Sequence, residues 1–246
     1  MEILKLEHLA WDLPDGAGII KDIDLSLESG KLVVVTGPNG GGKTTLAKLI
    51  AGIQTPSSGR LFFEGQEITN MDITERAKLG IAYAFQQPVR FKGLTVRNML
   101  ELASGHELDD AHLCDLLGKV GLCANEYVDR ELNASLSGGE IKRIEIASVL
   151  ARRAKLSIFD EPEAGIDLWS FARLVETFQE VRRQKAGTLL IISHQERILS
   201  IADDIVVIAD GYVRGAGPRE EILPTLLADE RSPRCPLGKE LSLIHI

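Results

Sequence analysis

Three short stretches of the chain combine residue types that could bind phosphate groups, hold a metal ion and activate a water molecule. The first fits the phosphate-loop pattern G-x-x-x-x-G-K followed by Ser or Thr, and it reads Gly37-Pro38-Asn39-Gly40-Gly41-Gly42-Lys43-Thr44. The second is Leu136-Ser137-Gly138-Gly139-Glu140. The third is an apolar run that ends in two carboxylates, Leu156-Ser157-Ile158-Phe159-Asp160-Glu161.

The glycines of the first stretch let successive backbone N–H groups point at phosphate oxygens without clashes from a Cβ atom. A helix that follows the loop adds its positive N-terminal end. Lys43 supplies a point charge for the β- and γ-phosphates, Thr44 offers a hydroxyl to Mg²⁺, and Thr45 is placed to support the α-phosphate. The loop therefore predicts a nucleotide-phosphate site.

The two carboxylates Asp160 and Glu161 follow a strand-like run, where an aspartate suits Mg²⁺, a hard cation that prefers oxygen ligands. Glu161 is then placed to orient or deprotonate an attacking water. A second interpretation is purely structural: both carboxylates cap the turn before Pro162. The spacing of 20 residues between positions 140 and 160 favours the catalytic interpretation.

The stretch around Ser137 is a second element suited to an anion. Ser137, Gly138 and Gly139 open a predicted helix, so that free N–H groups and a hydroxyl face one point. One chain does not need two phosphate cradles for one nucleotide.

In this order the three stretches resemble the ABC (ATP-binding cassette) ATPases, and the resemblance covers about residues 3–225. It implies an α/β fold, a P-loop NTPase of ABC type, with a mostly parallel core sheet, an N-terminal antiparallel β subdomain and an inserted helical subdomain. ATP and Mg²⁺ are the implied cofactors. In the family the second element binds the γ-phosphate of ATP held by another subunit, which implies an ATP-dependent, head-to-tail homodimer with two ATP molecules between the subunits.

Three further positions match the family. Gln86 corresponds to the Q-loop glutamine, which touches Mg²⁺ and water and senses partners. His194 corresponds to the switch histidine at the γ-phosphate, and Asp167 to the D-loop aspartate that communicates across the dimer. Most family members carry an aromatic residue near the N-terminus that stacks on adenine, but Leu13 stands at that position here. Trp11, two residues earlier, either stacks on adenine or packs in the core.

Within the family, several residues resemble the SufC branch, the ATPases of the SUF iron–sulfur assembly system. Glu140 stands where Gln is common, Glu163 stands where transporter cassettes usually carry Thr, and residues 193–199 are similar to the SufC stretch. This resemblance implies a SufB/SufD-like scaffold protein as partner. Pro162 and the short segment 53–65 are transporter-like, so the alternative is the ATP-binding subunit of a membrane transporter, with a permease as partner.

Composition limits the remaining possibilities. The chain has 246 residues and is 44% hydrophobic, enough for one ABC domain over residues 1–230, with the helical subdomain at about 88–150. The net charge of −8 argues against binding to nucleic acid. The longest apolar runs have the length of a strand and are too short to span a membrane, so we expect no direct membrane insertion and a cytoplasmic location. The tail 231–246 is expected to be disordered or an artefact of the sequence end. The scattered Cys114, Cys123 and Cys235 predict no metal site.

Hydrophobic periodicity and turn residues also predict the elements that must carry these side chains. The predicted strands are 3–9, 19–27, 31–35, 60–63, 67–68, 156–159, 188–192 and 205–209. The predicted helices are 44–51, 96–103, 109–120, 139–153 and 171–184. Asp210-Gly211 predicts a tight hairpin turn into a last strand at 212–214.

Overall fold

The structure, a computed structural model, describes residues 1–86, 91–133, 135–185 and 187–230. The strands are β1 (Glu2–Asp12), β2 (Gly18–Glu28), β3 (Leu32–Thr36), β4 (Ser58–Phe63), β5 (Gln66–Glu67), β6 (Ile81–Ala84), β7 (Leu156–Asp160), β8 (Thr188–Ile192), β9 (Asp204–Ala209) and β10 (Tyr212–Pro218). The helices are α1 (Lys43–Ala51), α2 (Ile73–Leu79), α3 (Val96–Ser104), α4 (Asp110–Lys119), α5 (Ala124–Tyr127), α6 (Gly138–Ala151), α7 (Leu168–Gln184), α8 (Glu196–Leu199) and α9 (Arg219–Glu230).

The strands form one sheet in the order β5-β4-β1-β2-β10-β9-β3-β8-β7-β6. Strands β9, β3, β8, β7 and β6 run parallel to one another, whereas β5, β4, β1 and β2 pair antiparallel. Strand β10 joins the two parts, antiparallel to β9 and parallel to β2 at a single position. The predicted mostly parallel core sheet with an N-terminal antiparallel part is confirmed.

The parallel strands are covered on both faces, as their continuous apolar runs predict. Leu32 and Val34 of β3 point to the face covered by α3 to α7, while Val33 and Val35 point to the face covered by α1 and the antiparallel strands. All five residues of β3, β7 and β8 are buried. Strand β2 instead alternates buried and exposed positions over its C-terminal half, the pattern of a strand that is buried on one face.

Several elements differ from the sequence-based expectation. Helix α7 begins at Leu168 rather than 171 because the Asp167 side chain accepts hydrogen bonds from the first-turn N–H groups. The second hairpin strand is Gln66–Glu67 rather than 67–68. Helices α2, α5, α8 and α9 and strand β6 were not predicted, because each is short or lacks a clear apolar period. The predicted turn is confirmed, with φ of 54° at Asp210 and 82° at Gly211.

Helices α3, α4, α5 and α6 occupy the region expected to be helical, and the subdomain boundaries stay a prediction. The tail 231–246 and Cys235 lie outside the described residues, as do positions 87–90 next to Gln86. Cys114 and Cys123 are exposed free thiols. Among the described residues, no helix is long and apolar enough to cross a membrane.

Arg76 on α2 joins this helix to the end of the phosphate-loop helix. Its guanidinium is 1% exposed and donates to the carbonyls of Leu49 and Ile50 in the last turn of α1, and to those of Thr69 and Met71. Burial lowers the pKa of Arg76 to about 10. The Ile50 carbonyl is one of the groups that a helix end leaves without a backbone partner, whereas the Leu49 carbonyl also accepts from the N–H of Gly52.

We expect Arg76→Ala to lower the free energy of unfolding by about 3 kcal/mol or more, since it leaves buried carbonyls unsatisfied and opens a cavity. Arg152→Ala is the matched control, because Arg152 is exposed and donates to one carbonyl, that of Ala77. Urea denaturation of both variants measures the difference. Equal losses for the two variants would contradict the role assigned to Arg76.

Candidate active site

The predicted phosphate-loop, metal and water-activating residues meet at one edge of the parallel sheet. The phosphate loop follows β3, Gln86 follows β6, Asp160 and Glu161 end β7, and His194 follows β8. The carboxyl ends of parallel strands lie at the same edge, where open α/β sheets bind their ligands. This topology brings together residues that are more than 100 positions apart in the chain.

The phosphate loop is held against the end of β9, and this contact explains two of its glycines. Gly37 has φ of 131°, and a Cβ atom there would lie 2.0 Å from the carbonyl oxygen of Ile208. A Cβ at Gly41 would lie 2.8 Å from the same oxygen. Gly42 has φ of 105° and begins α1 without any side-chain cap. The N-terminal N–H groups of α1 thus face the loop interior, as a phosphate cradle requires.

Lys43 lies buried at the centre of this loop. Its Nζ donates to the carbonyls of Gly37 and Pro38 at 2.8 and 2.9 Å. Burial lowers the pKa of Lys43, and the carboxylates of Glu161 and Asp160 oppose that shift. A buried ammonium beside open N–H groups attracts phosphate oxygens, and the two carboxylates favour its charged form.

Asp160 is completely buried and receives two hydroxyl groups. Thr44 Oγ1 donates to one carboxylate oxygen at 3.1 Å, and Tyr83 OH donates to the other at 3.0 Å. Burial raises the pKa of Asp160, and both hydrogen bonds oppose the rise. A carboxylate and a hydroxyl in contact form the oxygen-rich donor set that suits Mg²⁺, so Thr44 and Asp160 fit the predicted metal role.

Glu161 follows directly and takes part in a different contact. Gln86 Nε2 donates to its Oε2 at 2.7 Å, so the predicted Q-loop glutamine and the predicted catalytic carboxylate touch. The Glu161 N–H donates to the Ile192 carbonyl at 3.0 Å, and the residue adopts a left-handed φ of 46°. Left-handed φ in a residue other than glycine is uncommon and occurs often at functional sites.

His194 lies exposed beyond β8. The protein shields part of its ring from solvent, and this partial shielding and the nearby charge of Lys43 lower the pKa of His194, whereas Glu161 raises it. Its neighbour Ser193 donates to Glu163 Oε1 at 2.6 Å, and Ser193 Oγ accepts from the N–H of Gln195 at 3.0 Å. Glu163 thereby fixes the turn that carries His194.

These elements border an open cleft of about 600 Å³, which can accommodate a nucleotide. Its lining residues are Trp11, Leu13, Ile19, Asn39, Gly40, Gly42, Lys43, Thr44, Thr45, Gln86 and Glu161. Trp11 lines the cleft and also packs against the core, so both interpretations of Trp11 stand. Leu13 lines the cleft as well.

Ser137, Gly138, Gly139 and Asp167 are not part of this cleft. They border a second depression of about 560 Å³ that shares no lining residue with the first. Ser137 caps α6: its Oγ accepts from the Glu140 N–H, and Glu140 Oε2 accepts from the Ser137 N–H. The N–H groups of the first two helical residues, Gly138 and Gly139, therefore point out of the helix end.

Asp167 and Gly139 shape the second depression. Asp167 Oδ1 accepts from the N–H groups of Trp169 and Ser170, both at 3.0 Å. Hydrogen bonding from the side chain and backbone of Ser170, and from the Trp169 N–H, lowers the pKa of Asp167. A Cβ at Gly139 would lie 2.7 Å from the Gly165 carbonyl oxygen, so the loop before Asp167 packs directly on α6. Hydrogen bonds from Tyr127 and Ser137 lower the pKa of Glu140 to about 2.

Three residues of the site were not identified from the sequence. Tyr83 contacts Asp160, while Lys142 and Glu145 of α6 contact the chain before Gln86. Lys142 and Glu145 have the types expected on a solvated helix face, so periodicity alone conceals their burial. The available signal is that they lie one helical turn apart, beside the apolar positions Ile141 and Ile144.

Comparison with known proteins agrees with this geometry. The profile of the ABC transporter family matches residues 20–164. The uncharacterized ABC transporter ATP-binding protein MJ0035 of Methanocaldococcus jannaschii is 38% identical, over 83% of this chain and 84% of its own length. The probable branched-chain amino acid transport ATP-binding protein LivG of Archaeoglobus fulgidus is 31% identical, over 91% of this chain and 92% of its own length.

Solved structures show the same fold. The ADP conformation of MJ1267, an ATP-binding cassette of an ABC transporter, is 28% identical with a TM-score of 0.77, and the match covers 93% of this chain and 96% of that one. A dimeric post-hydrolysis state of the cassette MJ0796, bound to ADP and Pi, has a TM-score of 0.78 at 19% identity, over 88% of this chain and 99% of that one.

We expect Lys43→Ala to weaken ATP binding by about 10-fold to 100-fold, because it removes charge-assisted hydrogen bonds from the phosphate cradle. Isothermal titration calorimetry measures the affinity. Lys48→Ala, on the same helix, is the control and should bind as the unchanged protein does. Similar affinities for the two variants would exclude Lys43 from phosphate binding.

Proposed function

The chain belongs to the ABC transporter family of ATP-binding cassettes, and on that premise we propose that it hydrolyses ATP as a head-to-tail homodimer and drives a membrane permease. The single observation that carries the dimer is the separation of the two clefts. One holds the phosphate loop, and the other holds Ser137 and the glycine N–H groups at the start of α6, which we call the signature helix. Each cleft supplies half of what an ATP γ-phosphate requires, so the halves combine when two copies face each other.

Within each composite site the chain's own residues have distinct tasks. Lys43 and the N–H groups of the loop bind the phosphates, and His194 contacts the γ-phosphate. Glu161, oriented by Gln86, takes the proton of the attacking water. Thr44, Asp160 and Gln86 would hold Mg²⁺, which when bound offsets the negative charge of the phosphates.

The second copy contributes Ser137, Gly138 and Gly139 to the γ-phosphate, and its Asp167 lies at the same face. This arrangement implies that a lone copy lacks half of the donors and turns over slowly. The dimeric cassette MJ0796, whose fold this chain shares, supports a dimer as the working form. Closure by two ATP molecules and reopening after hydrolysis would produce the motion that is passed to a partner.

The permease is favoured because the named relatives are transport proteins, among them the LivG protein and the spermidine/putrescine import ATP-binding protein PotA of Mesoplasma florum. A permease would dock near Gln86 and the helices α3 to α5, on its cytoplasmic side, and a soluble scaffold would dock at the same place. The second candidate is a soluble SufB/SufD-like scaffold. Glu140 and Glu163 favour it, and Glu163 is built into the site through Ser193. The relatives described above do not support that candidate.

We expect Glu161→Gln to slow ATP turnover by about 10²-fold to 10⁴-fold, the usual contribution of a general base, while ATP still binds. The variant should accumulate as an ATP-bound dimer, which size-exclusion chromatography with light scattering detects. Adding Ser137→Arg to that variant should abolish the dimer, since it obstructs the second cleft. Unchanged turnover in Glu161→Gln would remove Glu161 from its role, and a monomer in ATP would remove the composite site.

Purification from native membranes and from the soluble lysate, with ATP and the Glu161→Gln variant, separates the two candidate partners. We expect a multi-span membrane protein to co-purify in stoichiometric amount, and Lys43→Ala to recover less of it. Recovery of a soluble iron–sulfur scaffold instead would establish the second candidate in place of the first.

A further inference from the structure

Two charged side chains of the signature helix are buried although neither belongs to the predicted catalytic set. Lys142 is 1% exposed and Glu145 is 7% exposed. They stand three positions apart on α6 and so lie on one face of the helix. Burying a charged group is costly unless polar partners compensate, so what each side chain contacts indicates its role.

The ammonium group of Lys142 donates hydrogen bonds to backbone carbonyl groups. Its Nζ donates to the carbonyl oxygens of Phe85 at 2.6 Å, Gln86 at 3.0 Å and Asp160 at 3.3 Å. An ammonium has three hydrogens, and these three bonds occupy all of them. One side chain thus bridges the segment that carries Gln86 and the end of the strand that carries Asp160.

Glu145 binds the same segment through the backbone N–H of Phe85, whereas Lys142 binds the carbonyl of that residue. Its Oε1 accepts the N–H of Phe85 at 2.7 Å, while its Oε2 is buried without a hydrogen-bond partner among the described residues. Both main-chain polar groups of Phe85 are therefore held by α6. The last ladder pair of β6 joins Ala84 to Phe159, so the sheet no longer holds the chain at Phe85.

Gln86 begins where this clamp ends. Its side chain is exposed, and its only contact with the catalytic carboxylate is the amide hydrogen bond to Glu161 at 2.7 Å. An exposed side chain keeps one geometry only if its backbone is fixed. Among the described residues, Lys142 and Glu145 make the hydrogen bonds that hold the backbone of residues 85 and 86.

We propose that Lys142 and Glu145 are positioning residues that clamp the backbone of Phe85 and Gln86 to the signature helix and thereby set the contact between Gln86 and Glu161. The helix that presents Ser137 to the second copy's ATP is then the same rigid body that places Gln86 at its own ATP. The five helical residues from Gly138 to Lys142 then connect the two sites, so that formation of the dimer at one ATP affects the position of Gln86 at the other. The effect of the clamp on catalysis rests on the proposed function, whereas the clamp itself rests only on the hydrogen bonds described above.

Hydrogen exchange tests the clamp without any need for turnover. In the unchanged protein the Phe85 amide should exchange slowly. Glu145→Leu, which removes the acceptor, should speed its exchange by about 10-fold or more, whereas Glu145→Gln keeps an acceptor oxygen and should retain most of the protection. Equal exchange in all three proteins, measured on peptides covering residues 81–86, would overturn the clamp.

Kinetics test the positioning role. Lys142→Met keeps the length of the side chain and removes its donors; we expect it to lower kcat by about 10-fold to 100-fold, with the Kd for ATP changed less than about 2-fold. Arg152→Met at the other end of α6 is the control and should retain kcat. Thermal denaturation establishes that each variant is folded at the assay temperature.

A double-mutant comparison distinguishes action through Gln86 from a general effect on structure. If Lys142 acts by placing Gln86, then Gln86→Ala with Lys142→Met should turn over no more slowly than Gln86→Ala alone. Multiplied losses, or a Kd for ATP that rises in step with the fall in kcat, would overturn the positioning role. If exchange follows the expected order while the unchanged protein shows no turnover, the clamp holds and the proposed function fails.

Discussion

A carboxylate with no access to solvent, that of Asp160, imposes the main constraint on this structure. Burial disfavours its charged form, and the structure compensates with hydroxyl donors from Thr44 and Tyr83. Those two donors come from the phosphate-loop helix and from β6, so compensating one charge joins three separate elements. The ammonium of Lys142 adds a fourth element, α6, through the Asp160 carbonyl. The edge of the sheet that carries the candidate site is assembled around this buried charge.

The two buried lysines near Asp160 bind backbone carbonyl groups. Lys43 and Lys142 both donate to carbonyls, and burial lowers the pKa of each. Burial raises the pKa of Glu145 to about 7 and also raises that of Glu163. Perturbed pKa values of buried ionisable groups cluster at functional sites, so these shifts agree with the place of the candidate site.

The local signals in the sequence account for the loop, the carboxylates and the parallel strands, because each depends on residues close together in the chain. Glycines mark the cradle, and an apolar run before Asp160 marks a strand buried on both faces. Tyr83 and Lys142 escape that reasoning since their partners are 77 and 57 positions away. A lysine on a helix is normally solvated, and only the tertiary structure shows that the end of β6 lies against it. The class of partner is not predicted by these local signals either, because partner binding depends on a surface that is formed by residues far apart in the chain.

The backbone at Glu161 shows how two adjacent acids come to serve one site. Successive residues of a strand point to opposite faces, so a regular strand would direct Asp160 and Glu161 apart. The left-handed φ of 46° at Glu161 ends that alternation, at a cost of about 1–3 kcal/mol for a residue other than glycine. Its N–H bond to the Ile192 carbonyl and its carbonyl bond from Ala164 hold the turn. Thr44 donates to the Asp160 carboxylate and lines the cleft together with Glu161, so the left-handed turn brings both acids to the predicted phosphate site.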